Sequence, residues 1–211
     1  NEVPRAFEFK TFDKIKEESN DKDKKYNKLR KESSIKKEIL YVTAQEHAVP
    51  SSMLAMIKYI KAEKNDYEQL ITVNSGNIKE SEERLKRYNL SDIQIITRDD
   101  EKYLKSLSEA EYIFSDCGLE YYFAAKNNQK YFNLQTDNIS AKMTRKKERE
   151  CFEFATVQKS IITPKASIYL TNESRLSFEK AYRCEMLPTS AIISDSPAFD
   201  MAGATNFASS T

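Results

Sequence analysis

Polar residues follow each of seven short apolar runs along this 211-residue chain: Gln45-Glu46-His47, Asn74-Ser75-Gly76, Thr97-Arg98-Asp99, Ser115-Asp116, Thr136-Asp137-Asn138, Thr171-Asn172-Glu173 and Ser194-Asp195. If the runs are parallel strands of one sheet, a polar ligand would be held at these exits. The candidate ligand-binding residues are then His47, Ser75, Asp116, Thr136, Asp137, Asn138, Asn172 and Asp195. His47 is the single histidine and is placed to contact a phosphate or act as a base; a solvated loop histidine is the plainer alternative. The same residue types also cap helices, because Ser, Thr, Asp and Asn side chains accept from the free N–H groups of a first turn. Both readings stay open at this level.

Other chemistries are excluded by what they require. Only three glycines occur, and neither GxGxxG nor GxxxxGK[ST] is present, which removes a glycine-backbone phosphate cradle and with it dinucleotide and P-loop readings. A single histidine removes HExxH chemistry and His-rich metal centres, so no cofactor and no metal is expected. Cys117, Cys151 and Cys184 are odd in number, widely spaced and without CxxC pairing, which reads as buried or incidental thiols in a reducing compartment. Asp99 and Asp100 are adjacent and do not face each other across a substrate as a glycosidase pair must. Tyr121, Tyr122, Phe123, Tyr131 and Phe132 could stack on bases, but at helix and strand spacing they read as core. With 34 basic residues against 33 acidic ones, the net charge of +1 gives no case for nucleic acid.

The elements that must position these residues alternate in type. ILYVTA (Ile39 to Ala44) is a short β-branched apolar run, and SSMLAMIKYIKAEK (Ser51 to Lys64) repeats Met53, Leu54, Ile57 and Ile60 at helical spacing. The unit recurs as QLITVNSG then ESEERLKRYN, IQIIT then DDEKYLKSLSEA, EYIFSD then GLEYYFAAKN, KYFNLQ then a basic helix through TRKKERECFEFATVQKSI, SIYLTNE then SRLSFEKAYR, and finally SAIIS. Buried strands alternating with amphipathic helices predict an α/β fold: a Rossmann-like, doubly wound, mainly parallel sheet. Residues 1–38 read as a charged helical arm or linker, 39–200 as the sheet domain and 201–211 as a flexible tail. No apolar run approaches the roughly 20 residues needed to cross a bilayer, and no signal segment opens the chain. The expectation is therefore a soluble, cytoplasmic protein, in contact with the membrane face at most through its Lys-rich arm. The opening Asn1 in place of Met suggests a piece of a longer protein.

The order EILYVTA…SSMLAMIKYI, LSEAEYIFSD, YFAAKNNQKYFNLQT, SIYLTNESRLSFEKAY and IISDSPAFD, over about residues 38–200, resembles the amino-terminal half of the CDP-glycerol and CDP-ribitol polyol-phosphate transferases of teichoic acid biosynthesis. The resemblance implies one lobe of a two-lobed GT-B fold, the lobe that faces the polyol-phosphate acceptor while a second lobe grips the CDP-linked donor. In that family the strand after the Gln-Lys-Tyr-x-Asn element ends in Trp-His-Gly-Thr-Pro, whose histidine is taken as the catalytic base. Here NQKYFNLQTDNIS keeps Asn133 but has Gln135 for the Trp, Thr136 for the His, and Asp137 and Asn138 for the Gly-Thr. A threonine hydroxyl cannot take a proton near neutral pH. DSPAFD likewise keeps Pro197 and Asp200 but has Ala198 where the family shows arginine. The resemblance thus implies a degenerate acceptor lobe without catalytic residues, acting as a binding or scaffolding module beside the remainder of a larger transferase. The alternative is a working lobe whose base is His47, Asp116 or Asp137 and whose donor lobe lies outside this chain.

Overall fold

The computed structural model describes residues 9–44, 48–64, 66–135, 158–186 and 190–194. Among the described residues, seven strands form one sheet: β1 (Lys36–Val42), β2 (Glu68–Thr72), β3 (Gln94–Ile96), β4 (Ala110–Ser115), β5 (Lys130–Gln135), β6 (Ala166–Tyr169) and β7 (Ala191–Ile193). Their order across the sheet is β3-β2-β1-β4-β5-β6-β7 and every pairing is parallel. The expected doubly wound α/β fold is present, with its reversal of strand order between β1 and β4. Register places Val42 opposite both Thr72 and Ser115, so the polar residues after these strands emerge along one edge.

The period of two in the central strands explains why both faces are covered. Ile39 and Tyr41 of β1 join Met53, Leu54 and Ile57 of α2 (Ser51–Glu63) and Leu85 of α3 (Ile78–Arg87) on one face. Leu40 and Val42 point the other way and join Tyr103, Leu104 and Leu107 of α4 (Glu101–Glu109). Tyr41, Phe114 and Phe132 stack in succession across β1, β4 and β5, with centroids 5.7 and 5.3 Å apart. A smaller cluster of Ile161, Tyr182 and Cys184, with Phe178 of α5 (Asn172–Ala181), packs beside β6. Cys184 is buried as expected, Cys117 is exposed, and Cys151 lies outside the described residues.

Two features depart from the sequence expectation. The charged segment does form a helix, α1 (Phe9–Glu32), but it does not stand away from the sheet layer. Tyr26 is wholly buried, its ring 5.4 Å from that of Tyr122 and 6.3 Å from that of Phe123. Pairs of Lys22 with Asp99, Lys25 with Glu101 and Ser33 with Ser108 lay α1 parallel to α4. Tyr26, with Leu29 half-buried beside it, docks a helix that is otherwise largely charged, and strand β1 begins at Lys36, within the span expected to be arm. Second, GLEYYFAAKN (118–127) is not a helix but a run of turns. Its carbonyls are taken from outside: Lys159 donates to those of Tyr121 and Phe123, Tyr26 and Arg30 to that of Ala124, and Arg30 to that of Ala125. With those acceptors satisfied by side chains, the i→i+4 ladder of a helix has no advantage there.

Candidate functional site

The crevice at the strand reversal is built from the exits of β1, β3 and β4. Asp116, directly after β4, is buried; its amide donates to Val42 O at 3.2 Å and its Oδ1 accepts from the Ala44 amide at 2.8 Å. It thereby fixes the first residues that leave β1. Ser115 Oγ donates to Gly118 O at 3.1 Å and accepts from the Cys117 amide at 3.3 Å, which folds the β4 exit back on itself. Gly118 sits at φ +78°, and a Cβ there would lie 2.8 Å from that of Ser160. This backbone conformation and this approach both require glycine.

Arg98 crosses this edge. It leaves β3, passes the exits of β2 and β1, and donates through Nη2 to Thr43 O at 3.3 Å and to Cys117 Sγ at 2.8 Å, while Nη1 lies 3.5 Å from Glu120 Oε1. Its Nε is enclosed without a partner. The other oxygen of Glu120 accepts from Tyr103 OH at 2.5 Å, and burial holds the Tyr103 phenol well above its ordinary value. Although Cys117 is exposed as a residue, desolvation of its thiol pushes it up to about 11, prevailing over the Arg98 guanidinium, whose counter-charge is the Glu120 carboxylate. Behind the crevice, Asn133 is fully buried in β5 and donates to Ser160 O at 3.0 Å. Lys159, its ammonium disfavoured by desolvation, clamps the turns after β4.

Of the residues named from sequence, Ser75, Asp116 and Asn172 fall among the described ones. Ser75 opens a short 3-10 turn after β2 and is exposed, and Asn172 opens α5, where its Oδ1 accepts from Arg175 Nε at 3.1 Å. All three lie on the carboxyl-end edge, but Ser75 and Asn172 are each two strands from Asp116. That spacing, on the order of 10 Å, keeps them from forming one cluster. His47, Thr136, Asp137, Asn138 and Asp195 lie outside the described residues. Arg98, Cys117 and Glu120, which the structure brings together, are absent from the candidate list. An arginine directly after a strand was the visible signal for the first; the other two depend on the folding of 116–129, which resembles a helix in sequence.

The family model described as CDP-Glycerol:Poly(glycerophosphate) glycerophosphotransferase matches residues 25–191. No curated protein is significantly similar in sequence. Among solved structures, wall teichoic acid polymerase TagF superposes with a TM-score of 0.62 at 14% identity, covering 97% of this chain and 51% of that one. A histidine-to-alanine variant of TagF gives 0.61 at 15% identity, covering 95% and 50%. A histidine-to-asparagine variant soaked with CDPG for 30 minutes gives 0.63 at 15% identity, covering 97% and 53%. At these identities the likeness speaks for the fold, and this chain spans about half the length of those structures. The family match extends over most of the chain, from α1 to the start of β7, and so this chain belongs to the CDP-Glycerol:Poly(glycerophosphate) glycerophosphotransferase family.

Proposed function

We propose that this chain is an acceptor-side lobe of a teichoic-acid-type polyol-phosphate transferase, that it binds or scaffolds, and that it does not itself transfer. The observation that carries the reading is the family match over residues 25–191, combined with Thr136 where the resembled motif has its histidine. Among the described residues, the polar groups nearest the strand reversal also have structural duties. Asp116 accepts from the Ala44 amide and Asn133 holds Ser160. The partner in this reading is the remainder of a larger transferase, since the matched TagF structures are about twice as long. The ligand is the polyol-phosphate polymer, and the place of action is the cytoplasmic face of the membrane. Among the described residues no helix is long and apolar enough to cross a membrane.

The half-length coverage also favours a second reading, a working lobe whose donor lobe lies elsewhere. One assay tests whether this lobe transfers by itself. Purified chain is incubated with radiolabelled CDP-glycerol or CDP-ribitol and a synthetic or lipid-linked acceptor. No turnover above background is expected, from the chain as it stands or from Thr136→His, because phosphoryl transfer depends on clamping the donor phosphates as well as on a base. Turnover by the unmodified chain overturns the non-catalytic reading. Turnover only after Thr136→His places more of the active site on this lobe than the proposal allows.

A further inference from the structure

We propose that β7 is a docking edge for a second copy of this chain, the two strands pairing antiparallel about a two-fold axis at Ile192. The inference stands on the sheet alone and holds whether the lobe transfers or only binds. Backbone direction is the first argument. Ser167 donates its amide to Ser190 O and Ser194 donates its amide to Tyr169 O, so the alternate residues Ser190, Ile192 and Ser194 turn their backbone groups toward β6. Those of Ala191 and Ile193 face outward by the alternation of a strand, and among the described residues they have no partner. Free groups at this spacing suit an antiparallel pair. With the axis at Ile192, Ala191 of each copy lies opposite Ile193 of the other, each such pair exchanges two N–H···O bonds, and Ile192 meets Ile192 in the non-hydrogen-bonded position.

The side chains agree with the backbone. Ile192 is aligned with Ile168 on the face of the Tyr41 cluster, while Ala191 and Ile193 are aligned with Ser167 and Tyr169 on the face of α5. Both isoleucines are about half exposed, at 46% and 47%, although a strand apolar on both faces is suited to be covered on both. Two-fold pairing sets small Ala191 against large Ile193 on one face and Ile192 against itself on the other. The edge also lacks the devices that keep strands apart: Ser190 to Ser194 contain no charge and no proline, in a chain that is 32% charged. At the opposite edge, by contrast, Gln94 of β3 is tied to the charged side chain of Lys102. A contact between β3 and β7 would propagate into a filament, whereas a β7 pair closes on itself. Strand spacing of about 4.8 Å brings the two copies of α5, which connects β6 to β7, onto the same side roughly 10–15 Å apart, where exposed side chains such as Leu176 cover the new strand pair.

Sedimentation velocity of the whole chain over roughly 1–200 µM tests the assignment, and a monomer–dimer equilibrium is expected in that range because the strand is short. Ala191→Pro removes one outward donor per copy, at a position where an edge strand tolerates proline, and is expected to weaken dimerisation about tenfold. Ile192→Lys sets like charges opposite each other and should do at least as much. Thermal melts at low concentration report whether each variant keeps the fold; where Ile192→Lys does not, Ala191→Pro and cross-linking carry the test. Under mild oxidation Ile192→Cys is expected to form a covalent dimer, its Cα atoms lying about 4.5 Å apart across the axis. Ile193→Cys is expected to give none, because the two copies of that position are more than about 7 Å apart. The unmodified chain, with Cys117, Cys151 and Cys184, is the control. A dimer that survives both Ala191→Pro and Ile192→Lys, or equal cross-linking of Ile193→Cys, overturns the assignment. A chain monomeric at every concentration also overturns it, and leaves the edge to the chain's own residues or to the remainder of a larger transferase.

Discussion

Individual side chains in this molecule are often committed to structure where their type suggests chemistry. Asp116 is a candidate base by sequence, yet its carboxylate is the cap that fixes the β1 exit. Gly118 is the clearest case of necessity, with its positive φ and its 2.8 Å approach to Ser160. Gly118→Ala should cost on the order of 2–4 kcal/mol, combining a strained backbone with local overpacking, as read from the urea midpoint. A loss below about 0.5 kcal/mol would show that the turn relaxes freely. Glu38 gives a pH-dependent counterpart. Burial pushes its carboxyl above the usual range, a Ser106 hydrogen bond opposes this in part, Glu68 and Glu109 add to it, and Oε1 has no partner. A raised folded-state pKa means the stabilising contribution is fully present below the unfolded value of about 4.3 and is lost as pH rises through the folded value. Glu38→Gln should therefore raise Tm more at pH 7 than at pH 4. The reverse order in paired thermal melts would contradict the desolvation account.

At the scale of elements, α1 shows how little apolar surface is needed to dock a helix when the receiving surface is already formed. Tyr26 fills a site between Tyr122 and Phe123 and donates to Ala124 O at 3.1 Å, and Arg30 donates to the same carbonyl at 2.8 Å. Tyr26→Ala should destabilise by about 3–5 kcal/mol, as for other large aromatic truncations. Tyr26→Phe keeps the ring and should lose about 1 kcal/mol for the hydrogen bond. Faster amide exchange confined to α1 and residues 121–126 in Tyr26→Ala would confirm that helix and turns hold each other. Uniform exchange across the sheet would point to global unfolding.

For the whole molecule, the decisive feature is one sheet shared by two cores. The cluster containing Tyr41 and the cluster containing Tyr26 lie on opposite faces of the same strands, and both draw on β1, β2 and β4. Neither face can open without exposing strands that the other face needs. The chain is expected to unfold in one step, with far-ultraviolet circular dichroism and tyrosine fluorescence giving coincident urea midpoints. Midpoints separated by more than experimental scatter would mean that α1 and α4 form a separate cooperative unit.

What the sequence determined by itself was the alternation. Runs such as ILYVTA and EYIFSD are short, β-branched or aromatic and apolar on both faces, and only a covered parallel strand satisfies that pattern. The polar exits were equally legible, because each run stops at residues that solvate or cap. Strand order was not, since α4 carries the chain from β3 back past β2 and β1 to β4, and nothing local records how far a crossover travels. Nor was the conformation of 116–129, whose carbonyls are satisfied by Lys159, Tyr26 and Arg30 from distant parts of the chain. The meeting of Arg98 with Cys117 and Glu120 follows from those two decisions together. Local propensity acts within a few residues, whereas this crevice is assembled by hydrogen bonds and packing between segments that only tertiary folding brings within reach.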